Sequence, residues 1–328
     1  MVDLDINYAD DNDKNPLQKI CGYLRRRRLH KKRFTDLLMR ERPDIVDSLY
    51  PCESSFFMDI KDGSKKVLEL HINKFFRLQY NRGGLIGLID KWRTKQDEKI
   101  CSRFDRFVVL TNEDKGYWGD MPNIRVIPNA AMMMSDRCSD VSAKRFIAVG
   151  RLDYQKSFDR LVQAWEIVQK LGDYKEWTLD IFGQGEWQEM LQEMIDKAGI
   201  GDTIRLNKPT KTIGEEYAKS AALVMSSHYE GLPMVMIEAM ACGLPVVSFD
   251  FKCGPKDIIV DGENGLIVRD GDLDGLAKAM IKIMEDGEMR RRMSAEALLI
   301  TEKYSEKRVM EQWTQLYEEL THEKTAAN

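Results

Sequence analysis

Between residues 139 and 286 the chain switches repeatedly between two hydrophobic periods. Short apolar runs at 144–149 (KRFIAV), 177–182 (WTLDIF), 203–206, 222–225 (ALVM), 244–249 and 265–268 read as strands. The stretches between them, at 158–170, 186–198, 213–221 and 233–242, carry apolar residues at helical spacing. Strands alternating with helices of roughly 10–15 residues predict a parallel sheet covered on both faces, the doubly wound α/β pattern. The first half is less regular. Strands are expected at 44–48, 66–70, 106–110 and 124–127, a weaker one at 2–6, and helices at 16–41 and 91–102. The polar, Ser-rich segment 130–143 is a candidate hinge. At the C-terminus Val309, Trp313, Leu316, Tyr317 and Leu320 form a helical stripe that must pack on another surface. The pattern divides the chain into an N-terminal domain at 1–138, a second at 139–304, and a helix at 305–328 expected to fold back on the first.

Composition narrows the class. A chain of 328 residues with 43% hydrophobic and 32% charged residues can bury two cores. It fits neither a disordered tail nor a membrane bundle, since no run approaches the ~18–20 apolar residues that span a bilayer. The acidic opening MVDLDINYAD does not read as a secretory signal. Six cysteines without a CxxC pair argue against a zinc ribbon or disulfide scaffold and fit a reducing cytoplasm. The net charge of −4 hides an asymmetry: residues 1–144 hold 27 Lys and Arg against 22 Asp and Glu, and the remainder 23 against 32. Much of the excess lies between Lys19 and Arg42, where ten basic residues face only Asp36 and Glu41, and its core Arg25–Arg33 (RRRRLHKKR) suits an anionic membrane surface or a solvated helix face. No aromatics interleave these charges, so nucleic acid is not an expected partner.

The candidate chemistry sits in strand-to-helix loops. In 226–238 (SSHYEGLPMVMIE) a strand ends, Glu230 and Gly231 follow, and Pro233 opens a helix bearing Glu238. Open α/β sheets bind ligands at the carboxyl ends of their strands, and a helix N-terminus favours anions. Carboxylates at an anion site suit a ligand that also offers hydroxyls, which suggests a sugar nucleotide. In 149–158 (VGRLDYQKSF) Arg151 and Lys156 can neutralise a diphosphate. Gly183 and Gly185 allow close backbone approach. The Asp-x-Asp triplets at 3–5, 11–13 and 272–274 read as polar terminus or helix cap, and none is taken as a metal site.

Taken in order, GRLDYQKSFDRLVQAW (150–165), IFGQGEW (181–187), YEGLPMVMIEAMACGLPVV (229–247) and GPKDIIVDGENGLIV (254–268) resemble the retaining family 4 glycosyltransferases, with their Glu-x7-Glu signature at Glu230 and Glu238. The closest pattern is that of bacterial capsular, exopolysaccharide and lipopolysaccharide transferases. The resemblance implies a GT-B fold, two Rossmann-like domains facing a cleft, the N-terminal one incomplete because the usual opening strand and Gly-rich loop have no counterpart. It implies transfer of a sugar from a UDP- or GDP-linked donor to a glycan or lipid-linked acceptor with retention, without metal or other cofactor. It makes Arg151 and Lys156 the diphosphate clamp and Glu238 the acceptor of ribose hydroxyls. Glu230 then contacts the donor sugar, and Gly231, Leu232 and Pro233 surround phosphates and sugar. Asn207 to Pro209 lie near the base, and His71 approaches the sugar from the acceptor side. Ser157 departs from the family's glycine. Two other readings compete: a sugar-nucleotide-binding protein without turnover, and a GT-B epimerase.

Overall fold

The computed structural model describes residues 15–79, 82–131 and 139–327. The expected strand at 2–6, the first two Asp-x-Asp triplets and the middle of the expected hinge lie outside the described residues. The N-terminal domain opens with a long helix, α1 (Pro16–Glu41), started by a reciprocal capping box between Asn15 and Gln18. Four parallel strands follow in the order β1 (Ile45–Leu49), β2 (Lys65–Leu70), β3 (Arg106–Val109) and β4 (Ile124–Val126). Helices α2 (Gly84–Cys101) and α3 (Asn112–Trp118) connect them.

Strand alternation gives this sheet two dressings. On one face Leu68, Leu70, Phe107 and Val109 pack with Leu38, Phe57 and Phe104. On the other, Val67 and Val108 meet Val309, Leu316 and Leu320 of the last helix, α12 (Glu306–Ala327). The terminal stripe therefore covers the N-terminal sheet. Helix α2 begins at Gly84, not near residue 91, because Leu85, Ile86, Leu88, Ile89 and Trp92 are exposed and give no core-facing signal.

The second sheet is longer and wholly parallel. Its strands are β5 (Arg145–Val149), β6 (Thr178–Phe182), β7 (Ile204–Asn207), β8 (Ala222–Met225), β9 (Val246–Phe249) and β10 (Gly265–Val268). Their spatial order is β10-β9-β8-β5-β6-β7. The chain first winds outward from β5 to β7, then crosses back beyond β5 and winds the other way. The order reverses between β5 and β8, so the crevice at their carboxyl ends is the place where such a sheet binds ligands. Helices α4 (Phe158–Leu171), α5 (Gln188–Ala198), α7 (Met234–Ala241) and α9 (Leu273–Glu285) cover the faces, with the shorter α6 (Ile213–Ala218) and α8 (Pro255–Ile258) between them and α10 (Gly287–Leu298) and α11 (Ile300–Lys303) leading on to α12. Trp165, Phe146, Leu223, Val247 and Met280 are fully buried between the layers. Burying each such side chain contributes about 1.5–3 kcal/mol, so the apolar runs that announce the strands also hold them.

Candidate active site

The loops after β5 and β8 are laced together at the switch point. Lys156 Nζ lies 2.6 Å from Glu230 Oε1, and both side chains are largely buried. Ser227 Oγ donates to the same carboxylate oxygen at 2.9 Å, and Gln155 Nε2 donates to Oε2 at 3.0 Å. Glu230 thus has three donors, two neutral and one charged, which suits a buried carboxylate. Arg160 holds the loop from below, donating to the carbonyls of Ser226 and Ser227 and pairing with Asp270. His228 stacks on Tyr154 at 4.6 Å between ring centroids. Burial pushes its imidazole below the usual histidine range, and the Arg160 guanidinium adds to this.

Arg151 occupies a different position from Lys156. It is exposed, and its guanidinium bridges Asp153 and the Gln155 side-chain oxygen at 3.1 and 3.0 Å. Gln155 joins the two cations: its oxygen accepts from Arg151 while its amide donates to Glu230. Arg151, Asp153, Tyr154, Gln184, Gly185 and Glu186 border a cavity of about 360 Å³. Glu238 faces the cluster from α7. Burial raises its carboxyl above the ordinary value, and only the charge of Lys156 opposes this. Its carboxylate accepts no hydrogen bond among the described residues.

The glycines have a physical reason that the sequence did not disclose. A Cβ on Gly183 would sit 1.9 Å from the Gly150 carbonyl oxygen, and one on Gly185 would sit 2.3 Å from that of Leu152. The β5 and β6 loops therefore touch backbone to backbone, and protein–protein packing already requires both glycines. Gly231 is similar: its Cβ would meet the His71 carbonyl oxygen at 2.4 Å. Here the contact joins the two domains.

His71 follows directly on β2, with its Nε2 2.7 Å from Glu69 Oε2. Asn73, two residues on, is buried and donates from Nδ2 to the Glu230 carbonyl at 2.8 Å. Asp257 receives the Asn112 and Glu113 backbone N–H groups at the start of α3, a second link between domains. Leu232 is buried, and Pro233 stands at the cap of α7, one residue before the helix and not in its first turn. Pro209 is exposed beyond edge strand β7, outside the ionic cluster. Asp272, of the third Asp-x-Asp triplet, caps α9 by accepting from Gly275 N–H at 2.9 Å. Gln155, Ser227 and Asn73 escaped the sequence reading. Gln155 alone carried a signal, its place beside Lys156 in the motif.

Residues 138–298 match the family described as glycosyl transferases group 1. The two parallel sheets form a GT-B fold, as in the solved structure described below. It is 33% identical over 222 residues to the amylovoran biosynthesis glycosyltransferase AmsD of Erwinia amylovora, covering 65% of this chain and 62% of that one. It is 30% identical over 213 residues to an uncharacterized glycosyltransferase of Haemophilus influenzae, covering 64% and 60%. The chain thus spans about three fifths of the length of these two relatives. Among solved structures, the pneumococcal O-GlcNAc transferase GtfA in complex with UDP and GlcNAc superposes with a TM-score of 0.67 at 20% identity, covering 89% of this chain and 60% of that one.

Proposed function

We propose that this chain moves a sugar from a UDP- or GDP-linked donor to a glycan or lipid-linked acceptor, with retention at the anomeric carbon, in bacterial surface polysaccharide synthesis. One observation carries the reading: Glu238 presents a half-buried carboxylate with no donor among the described residues beside the Lys156–Glu230 pair, at the sheet's switch point. Ligand hydroxyls can donate to such a carboxylate, and Lys156 and Arg151, already paired with Glu230 and Asp153, have further donors for a phosphate. A nucleoside diphosphate sugar supplies both.

In this reading Glu238 accepts the ribose hydroxyls. Lys156 and Arg151 stabilise the negative charge that builds on the departing diphosphate, which is where fixed cations in a preorganised site gain most. No metal is needed for that task. Glu230, fixed by Ser227, Gln155 and Lys156, holds the cation in place and turns its remaining acceptor capacity to the donor sugar. His71 reaches the sugar from the other domain.

Calorimetric titration with UDP and GDP tests the donor half. Wild type should bind one of them, and Glu238→Ala should weaken binding about tenfold or more, the loss of a hydrogen bond to a charged group. Equal binding by both proteins, or none by either, removes the reading. Release of nucleoside diphosphate from the matching nucleotide sugar, with and without acceptor, separates transfer from binding alone and from epimerisation.

For the acceptor, α1 supports attachment to an anionic membrane surface. Leu17, Ile20 and Leu24 are exposed at helical spacing, and Arg25, Arg27, Arg28 and Lys31 border a cavity of about 550 Å³ beside them. Among the described residues no helix is long and apolar enough to cross a membrane. Co-sedimentation with vesicles containing phosphatidylglycerol should be lost at high salt and in neutral vesicles. Sedimentation indifferent to both would exclude this attachment.

A further inference from the structure

We propose that Asp47 and Glu69 form a carboxyl pair sharing one proton, and that this pair positions the His71 imidazole at the cleft, with Glu69 as the positioning residue. The inference rests on the reading of His71 as the residue that meets the sugar from the acceptor side, and it adds what holds that residue.

The geometry runs in one line across the N-terminal sheet. On α12, the Tyr317 hydroxyl donates to Asp47 Oδ2 at 2.9 Å. On β1, Asp47 Oδ1 is buried and receives no protein donor. On β2, Glu69 lies within hydrogen-bonding reach of Asp47, and its Oε2 meets His71 Nε2 at 2.7 Å. Parallel register places Leu49 opposite Glu69 and Asp47 opposite Val67, so Asp47 and Glu69 share one sheet face, and His71 follows just past the end of β2.

Two ionised carboxylates at contact distance repel, and a buried acceptor without a donor is costly. One proton removes both difficulties. Asp47 Oδ1–H donates to Glu69, Tyr317 satisfies Oδ2, and Glu69 keeps one full negative charge for His71. The Nε2–H of His71 then donates to Glu69, which leaves Nδ1 as the ring's acceptor. The proton count is unchanged throughout: one on Asp47, one on His71 Nε2 and one on Tyr317.

The groups facing Asp47 support this protonation. Burial first, and then the Glu69 charge, raise its carboxyl to about 7 against the opposition of the Tyr317 hydroxyl and the Ser48 N–H. On the same face Val67, Val108 and Leu316 are apolar, while the cations Lys65, Arg106 and Arg125 are engaged by Glu319 and Glu323 of α12. The arrangement couples His71 to the surrounding pH through a residue that touches neither the cleft nor any ligand. When Asp47 loses its proton, Glu69 is released from donating company and grips the His71 N–H more tightly.

The test follows the Asp47 carboxyl carbon by NMR across pH 4–9 in the full chain without donor or acceptor, so its outcome is independent of the proposed activity. In wild type its midpoint should fall near pH 7. Glu69→Gln should lower it by about one pH unit or more, because a neutral neighbour no longer raises it. His71→Phe should move it upward, since Glu69 loses a donor and becomes a better acceptor for the shared proton. In the Glu69→Gln background the same His71 change should have no further effect, the mark of coupling through Glu69. Tyr317→Phe, which removes only a hydroxyl, should raise the midpoint and gives a second conservative reading. The proposal is overturned if wild-type Asp47 titrates near 4, or if His71→Phe leaves its midpoint unmoved.

Discussion

The two sheets bury charge for different purposes. Around the N-terminal sheet, Lys66, Lys74, Asp90, Asp97 and Asp114 are all buried. They are tied into local pairs such as Lys66–Asp62 at 2.7 Å and Arg77–Asp97 at 3.2 Å, or, for Asp114, into backbone and indole N–H groups. Around the C-terminal sheet, the buried polar groups among the described residues are mostly hydroxyls and amides. The two charged exceptions are Asp180, paired with Arg145, and Glu230. In a domain with an otherwise apolar interior, a buried carboxylate at the switch point stands out as a site. In one that buries ion pairs throughout, burial of a charge says little about function, because those pairs brace the structure.

This contrast can be broken or sharpened by substitution. The largest effect is expected from Lys156→Ala, which removes the cation from Glu230 and, under the proposed function, from the donor diphosphate. It should lower kcat/KM for transfer about 100-fold or more. Removing one partner of a buried pair also costs about 3–5 kcal/mol, so a urea denaturation curve must accompany the kinetics. Lys66→Met is the matching change in the other domain. It leaves Asp62 buried without its cation and should cost about 3 kcal/mol by the same measurement, with nucleotide affinity unchanged. If it weakened nucleotide binding as Lys156→Ala does, the division between bracing charges and site charges would be wrong.

Gly231→Ala probes the seam between the domains. The new methyl must displace the His71 carbonyl, so transfer should fall about tenfold, as a small misplacement near reacting groups does, while calorimetric binding of the nucleotide changes less. A larger loss in binding than in turnover would contradict this.

The smallest effect concerns Asp114, which burial pushes up to about 6. Its value lies above that of the unfolded chain, so the folded state keeps the proton longer. The stability this contributes is present below about pH 4 and is lost as pH rises to about 6. Relative to Asp114→Asn, wild type should lose about 1–2 kcal/mol across that interval, readable as a relative fall in melting temperature. Parallel melting curves for the two proteins would dispose of it.

Legibility followed the same division. In the C-terminal domain the strands stand within a residue or two of their apolar runs, because a buried parallel sheet writes itself as Val, Ile, Leu and Phe ended by glycine or serine. The sequence places Lys156 and Glu230 in strand-to-helix loops and Glu238 on the helix that follows, and the fold brings the first two into contact. Gln155, Ser227 and Asn73 were not, since neutral amides and hydroxyls are common in every loop and only the fold brings Asn73 to Glu230. The start of α2 was hidden for the opposite reason: Leu85, Ile86 and Trp92 look like core residues and face outward. Gly183 and Gly185 were noticed for approach to a ligand, whereas the contact that demands them is another stretch of backbone.

Helix α12 ends the described chain far from where its own domain ends. It leaves the C-terminal sheet and lies across the N-terminal one, fastened by Tyr317 to Asp47, Glu323 to Arg106 and Lys324 to Asp44. A strap of this kind makes the two lobes melt together, since neither can lose its packing without exposing the other's apolar flank. It also sets how far they can swing apart, because the same helix that belongs to one lobe by sequence is glued to the other by side chains.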